Sequence, residues 1–299
     1  MAVSDPLLAG ALVRIAQDVD SVFDALLPVP YDPRARLIEA MRYASIGGGK
    51  RIRPLLLVAT AEMYGVDRDA AMRAGVAVEA IHSYSLIHDD LPCMDDDAMR
   101  HGKPTVHLAF DEATAVLAGD ALHAFAFELL ADPQTSGDPF TRIELVQTLG
   151  SASGADGMAG GQMMDIVAED GDYDLCAVTR LQQLKTGALL AASVEMGAIL
   201  GKIAPEGRAH LRGYARDIGL AFQIADDLLD HEGDEHAAGK ALRKDAAAGK
   251  QTFVSLLGPE RAREQARALV EQAIGYLGQH GAEADLLRAI ARYIVERNR

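Results

Sequence analysis

Apolar residues recur at helical spacing along almost the whole chain, and alternating β-branched runs and Asn-Gly hairpins are missing. The pattern predicts helices near 5–27, 33–45, 54–64, 67–91, 106–131, 139–154, 157–168, 174–201, 205–232, 252–257, 259–279 and 283–297. Breakers punctuate them: Pro28, Pro30, Gly47-Gly48-Gly49, Pro92, Gly137, Gly154, Gly171, Gly201, Gly233 and Gly258-Pro259. Stretches 131–139 and 231–251 are polar and Gly-bearing without apolar periodicity; the second is long and basic enough to be a functional loop or lid. No linker separates domains. The expectation is an all-α protein, one large helical bundle over residues 1–299.

Composition narrows the partners. The 299 residues carry a net charge of −15 without a basic tail or basic aromatic stripe, which argues against nucleic acid. Cys93 and Cys176 form no CxxC pair and suit free thiols in a reducing cytoplasm. The N-terminus lacks the basic start of a signal peptide. The apolar stretch 188–201 is interrupted by Glu195 and too short to span a bilayer, so a soluble, cytoplasmic protein without a transmembrane segment is expected.

Two acidic clusters break the otherwise ordinary pattern. Each ends an apolar helical run, where the helix dipole and like charges disfavour carboxylates. In the second, Asp226 and Asp230 stack on one helical face with Asp227 beside them. Oxygen-only donors of this kind suit magnesium, which completes its shell with water and phosphate; an exposed acidic helix end is the plainer alternative. In the first, Asp89 and Asp90 hold the last turn before Pro92, and Asp95 must return through a short irregular segment. Asp96 and Asp97 read as solvated charges. Arg100-His101-Gly102-Lys103 follows, a cation where a metal-bridged diphosphate would need one.

Further basic pieces lie elsewhere. In Gly47-Gly48-Gly49-Lys50-Arg51-Ile52-Arg53-Pro54, three glycines allow close backbone approach to an anion, Lys50, Arg51 and Arg53 supply charge, and Pro54 suits the first position of a helix. The spacing is not that of a P-loop. Lys185-Thr186-Gly187 interrupts an apolar helix, where a lysine either snorkels or serves function. Gln223 precedes Asp226 by about one turn, Lys240 and Lys250 lie in the polar stretch, and His82 precedes Asp89 by about two turns. Each of these alone suits an ordinary surface or core residue. Together, magnesium-type acids, separate cationic sites and large apolar faces suggest two diphosphate substrates with hydrocarbon tails.

The combination GGGKRIRP, DDLPCMD, KTG, FQIADDLLD and KDAAAGKQT resembles the short-chain trans-polyprenyl diphosphate synthases, most closely the bacterial farnesyl diphosphate synthases. The match covers nearly the whole chain in order. It implies helices around a deep central cavity, a homodimer, and three magnesium ions between the aspartate motifs and an allylic diphosphate. By this resemblance Asp89, Asp90 and Asp95, with Asp226, Asp227 and Asp230, serve the metal. Arg100, Lys185, Lys240 and Lys250 hold the allylic diphosphate, whereas Gly49, Lys50, Arg53 and His82 hold isopentenyl diphosphate. Lys185, Thr186 and Gln223 line the developing allylic cation. Tyr84 and Ser85, just upstream of Asp89, set product length, and the bulk of Tyr84 favours fifteen carbons unless that ring faces another helix.

One departure stands out. The family pattern has two adjacent arginines where this chain has Arg100-His101. His101 serves isopentenyl diphosphate best when protonated, so weaker and pH-dependent binding is expected. Among rivals, a terpene cyclase sits poorly with the absence of Trp and 5% aromatic content. A geranylgeranyl diphosphate synthase differs mainly at the cavity floor. A non-catalytic subunit would not need intact aspartate motifs, and a divalent-cation buffer would not need the basic loops.

Overall fold

The computed structural model describes residues 5–168, 173–232 and 251–296. Helix α1 (Pro6–Leu26) starts where Asp5 accepts hydrogen bonds from the amides of Leu7 and Leu8, an N-cap completed by Pro6 in the first turn. Its buried stripe, Leu8, Ala11, Ile15, Val19 and Phe23, keeps the predicted helical spacing. Next come α2 (Ala35–Ser45) and α3 (Ile52–Met63), and α4 (Arg68–Asp89) is capped by Asp67. Helix α3 begins two residues earlier than Pro54 suggests, because Arg51 in a left-handed conformation (φ 51°) turns the chain into it. Pro54 still lies in the first turn, where its missing N–H costs nothing.

The region after the first acidic cluster departs from the helical expectation. Met99–Arg100 (β1) pairs antiparallel with Lys103–Pro104 (β2). The connecting His101 and Gly102 both have positive φ, 51° and 75°. A two-residue loop of this kind matches the twist of its strands, and histidine tolerates the left-handed region better than most residues. The expected helix 106–131 is two helices, α5 (Val106–Ala109) and α6 (Glu112–Ala131). Extended Asp111 separates them and caps α6 by accepting from the Thr114 amide.

Helices α7 (Pro139–Ser153), α8 (Met158–Val167) and α9 (Leu175–Gln182) follow. A π-helical turn, Gln183–Gly187, joins α9 to α10 (Ala188–Leu200), so the single helix expected over 174–201 carries a bulge at Lys185-Thr186. A short 3₁₀ turn precedes α11 (Ala209–Glu232). The chain then forms α12 (Phe253–Leu257), α13 (Pro259–Tyr276) and α14 (Asp285–Glu296).

Helices apolar on nearly every face must be enclosed, and α3 and α10 are, packed against each other and flanked by α4, α7 and α11. Most buried apolar side chains form one core; a smaller cluster of Val178, Ile224, Phe253, Val254, Ala262 and Ala266 lies around the end of α11. Among the described helices α6 alone is long and apolar enough to cross a membrane, a feature the sequence reading missed. It buries Leu122, Ala126, Leu129 and Leu130 and packs along α4.

Candidate active site

The first acidic cluster is built by the end of α4. The helix stops at Asp89, Asp90 caps it, and the chain doubles back so that the Asp95 amide donates to the Asp89 carbonyl at 2.8 Å. The expected return of Asp95 is therefore present. The three carboxylates have different environments. Burial pushes Asp89 up to about 6; Lys185 and Arg100 oppose that rise, while Asp95 and Asp90 add to it. Asp90 is buried and gripped by Arg100, whose Nε donates to Oδ1 at 3.0 Å. Burial also raises the pKa of Asp90, against the pull of Arg100. Asp95 is exposed. Asp97, read from the sequence as solvated, lies 3.2 Å from Arg100 and is half-buried. Arg100 thus sits in a carboxylate clasp fixed by the β1–β2 hairpin.

The second cluster ends α11 and is organised differently. Asp227 is buried, and its Oδ2 accepts the Phe253 amide at 2.8 Å, tying the end of α11 to the first residue of α12, which Thr252 caps. Asp226 faces the basic loop closely enough for its charge to act on Arg53, and Asp230 is half-buried one turn on. Among the described residues no three His, Cys, Asp or Glu side chains converge closely enough to hold a metal ion. The donor chemistry nevertheless fits magnesium: all donors are carboxylates, and burial, with Asp95 and Asp90 beside it, disfavours the charged form of Asp89, a cost that a divalent cation would relieve.

The glycine-rich loop supports two cations in different ways. Gly47 and Gly49 are in the left-handed region (φ 75° and 74°), whereas a Cβ on Gly48 would stand 2.9 Å from His101 Nδ1. The glycines therefore serve the loop's turns and its packing on the hairpin. Arg51 is committed to the fold: it is buried, with Glu79 at 2.7 Å, Asp20 at 2.8 Å and the Ser45 carbonyl as partners. Arg53 keeps a buried Nε with no hydrogen-bond partner. Burial lowers its pKa, opposed by Glu79 and Asp226. Lys50 lies over the Tyr293 ring, 5.9 Å from its centroid.

His82 lies beside the same cations. Burial, then Arg53, His101, Arg51 and Arg100, depress its pKa well below 6.5. His101 is depressed as well, by burial first and then by Arg100 and Arg51, with Glu79 opposing. Its neutral form is therefore favoured at neutral pH, and the expected sensitivity of His101 moves to the acid side of 6.5.

Lys185, in the π-turn, donates from Nζ to Asp165 of α8 at 2.6 Å and lowers the pKa of Asp89. Thr186 occupies the same turn. The Gln223 amide donates to Gln182 at the end of α9. On α4, the Tyr84 ring stands edge-on to His123 of α6 at 5.0 Å and to His88 at 5.8 Å, in the α4–α6 seam. Ser85 Oγ donates to the His82 carbonyl at 2.9 Å. Lys240 and Lys250, like most of the polar stretch, lie outside the described residues.

The sequence reading passed over Glu79 and Asp165. Glu79 was detectable, as a lone acid in the apolar run 74–81 of α4. Asp165 carries no such mark, since α8 is exposed along much of its length. Gln162, one turn before it, is buried with both amide atoms unpartnered.

Acids at the ends of two helices, with Lys185 acting on one cluster and Arg53 within reach of the other, line an all-helical bundle that works as a prenyltransferase. Residues 34–294 match the family model described as polyprenyl synthetase, and the chain belongs to that family. It is 44% identical over 296 residues to farnesyl diphosphate synthase of Escherichia coli (strain K12), covering 97% of each chain. Among solved structures it resembles an FPP/GFPP synthase from Zymomonas mobilis (57% identity, TM-score 0.89, 99% of this chain and 100% of that one). It also resembles a geranyltransferase from Helicobacter pylori complexed with magnesium and isoprenyl diphosphate (32% identity, TM-score 0.79, 99% of this chain and 98% of that one).

Proposed function

We propose that the chain is a magnesium-dependent farnesyl diphosphate synthase, joining isopentenyl diphosphate head-to-tail to dimethylallyl and then geranyl diphosphate. The observation that carries this reading is that both acidic helix ends lie within electrostatic reach of cations from other elements, Asp89 of Lys185 and Arg100 and Asp226 of Arg53. Asp89, Asp95, Asp226 and Asp230 hold the metal, three ions in all, while Asp90 and Asp227 fix the clusters. Magnesium, when bound, neutralises the departing diphosphate. Arg100 and Lys185, with Lys240 and Lys250, bind the allylic diphosphate. Gly49, Lys50, Arg53, His82 and His101 bind isopentenyl diphosphate.

In the reaction the allylic C–O bond breaks and its electron pair leaves on diphosphate. The isopentenyl double bond then forms the new C–C bond, and a proton passes to the released diphosphate. Dipoles of Lys185, Thr186 and Gln223 stabilise the positive carbon without capturing it. The C15 product is assigned on the family resemblance; the Tyr84 ring, about 7.5 Å from Asp89 along α4, faces His123 of α6, the case in which product length is set elsewhere. Ser85 lies beside that ring. The enzyme acts in the cytoplasm as a homodimer, a reading supported by exposed Val116 and Leu117 of α6 and Phe140 and Ile143 of α7.

Purified protein with magnesium, isopentenyl diphosphate and dimethylallyl or geranyl diphosphate should give farnesyl diphosphate; a longer product from Tyr84→Ala would assign the chain-length limit to this ring, and an unchanged C15 product would assign it to other residues. A C20 or C25 product from the native protein would overturn the assigned product. Absence of condensation would point to a non-catalytic subunit.

A further inference from the structure

The turn that carries Lys185 and Thr186 is wider than an α-helix, and a π-turn persists where its neighbours accommodate it. Two glycines on different helices do so here. On α8, a Cβ at Gly161 would stand 2.2 Å from Lys185 N, 2.5 Å from Lys185 Cα and 2.8 Å from the Leu184 carbonyl carbon. On α11, a Cβ at Gly219 would stand 3.3 Å from Gly187 Cα. One turn beyond Gly161 on the same face of α8, Asp165 accepts from Lys185 Nζ at 2.6 Å. One turn beyond Gly219, Gln223 reaches Gln182, the last residue of α9 before the π-turn.

Helix α8 therefore holds Lys185 at both ends, its backbone on Gly161 and its ammonium on Asp165, while α11 closes on the turn from Gly219 and Gln223. We infer that Gly161 and Gly219 are positioning residues for prenyl transfer: they fix the π-turn so that the dipoles of Lys185 and Thr186 meet the reacting carbon. The inference rests on the prenyltransferase reading of this site. The atoms that a methyl at 161 would meet are backbone, so no side-chain rotation relieves the overlap. Either Lys185 or α8 must shift. A misplacement of about 1 Å in a reacting constellation costs ~10²-fold in rate. At 219 the overlap is milder, a few tenths of an ångström, and comes from the other helix.

The test compares Gly161→Ala and Gly219→Ala with Gly150→Ala, whose Cβ would meet only the Phe127 ring at an ordinary 3.8 Å. Three quantities are read: kcat and KM with geranyl and isopentenyl diphosphates, amide hydrogen exchange across 183–187, and calorimetric binding of inorganic diphosphate with magnesium. Gly161→Ala should lower kcat by ~10²-fold with KM for isopentenyl diphosphate within about threefold, on the same positional argument. It should also speed exchange in the π-turn while still binding diphosphate. Gly219→Ala should fall between it and the native enzyme, and Gly150→Ala should match the native enzyme. Native kcat in both π-turn variants, folded, overturns the inference. If Gly161→Ala does not fold, Gly219→Ala decides: a fall in kcat at unchanged KM supports the clamp, and native kcat overturns it. An inactive native protein would instead overturn the prenyltransferase reading. Exchange would then test the clamp alone, faster in Gly219→Ala if it is real and unchanged if it is not.

Discussion

The two aspartate clusters look alike in sequence and are built from opposite directions. At the end of α4 the capping Asp90 is tied to a cation, Arg100, which the β1–β2 hairpin presents. At the end of α11 the buried Asp227 is tied to backbone, the Phe253 amide that starts α12. In each cluster one carboxylate secures the local fold. Their neighbours feel cations from other elements: the charge of Lys185 acts on Asp89, and Asp226 acts on Arg53. A repeated motif therefore divides its labour by what each aspartate is bonded to, not by its place in the repeat.

The largest expected effect separates those two duties. Asp89→Asn should lower kcat by ~10³-fold, the scale of a lost electrostatic contact in the transition state, with little loss of thermal stability. Asp227→Asn should cost about 1–3 kcal/mol of folding free energy by weakening a buried acceptor. Equal losses of activity in two equally stable variants would break the comparison.

Glu79 anchors the basic loop through its buried ion pair with Arg51. Glu79→Gln leaves Arg51 buried without its main counter-charge, and urea unfolding should show a loss of about 3–5 kcal/mol. A loss below about 1 kcal/mol, as for an exposed pair, would remove Glu79 as the anchor of the loop.

The pH dependence of stability probes the first cluster in metal-free protein. The folded-state value of Asp89, about 6, lies above an ordinary 3.8. Folding therefore takes up a proton between those values, and stability falls as pH rises through that window. Asp89→Asn removes this cost, so its stability relative to the native protein should rise from pH 4 to pH 7, by at most about 3 kcal/mol. A constant difference would mean that Asp89 titrates normally.

The smallest effect concerns His101. His101→Arg should lower KM for isopentenyl diphosphate by about threefold to tenfold, around 1 kcal/mol, as one more partly exposed cation–anion contact would. In the native enzyme this KM should rise with pH only on the acid side of 6.5 and flatten above it, since the neighbouring cations disfavour imidazolium. A native KM that changes mainly between pH 7 and 8 would contradict that environment.

Much of the bundle was legible because burial writes a helical period into the chain, as in the stripe of α1 and the all-apolar α3 and α10. The misses have physical causes. The hairpin at 99–104 is too short to leave an alternating pattern, and His-Gly is a rarer form of the turn than Asn-Gly. The break before α6 rests on a single extended Asp111. Of the basic loop, charge was readable but allegiance was not: Arg51 and Arg53 are indistinguishable by type, yet one is enclosed by Glu79, Asp20 and Ser45 while the other retains an unpartnered nitrogen. Asp165 becomes meaningful only through Lys185, a contact between helices that no local spacing announces.

The π-turn also acts as a phase shifter. It inserts one residue into an otherwise continuous α9–α10 rod, so the faces before and after it are rotated by about 100° relative to an unbroken helix. Val178, Leu181 and Leu184 are the buried positions up to the bulge, and beyond it α10 is buried on nearly every face. Deleting a single residue from Gln183–Gly187 would heal the helix and misalign one of its halves, so the length of this stretch is as constrained as its side chains.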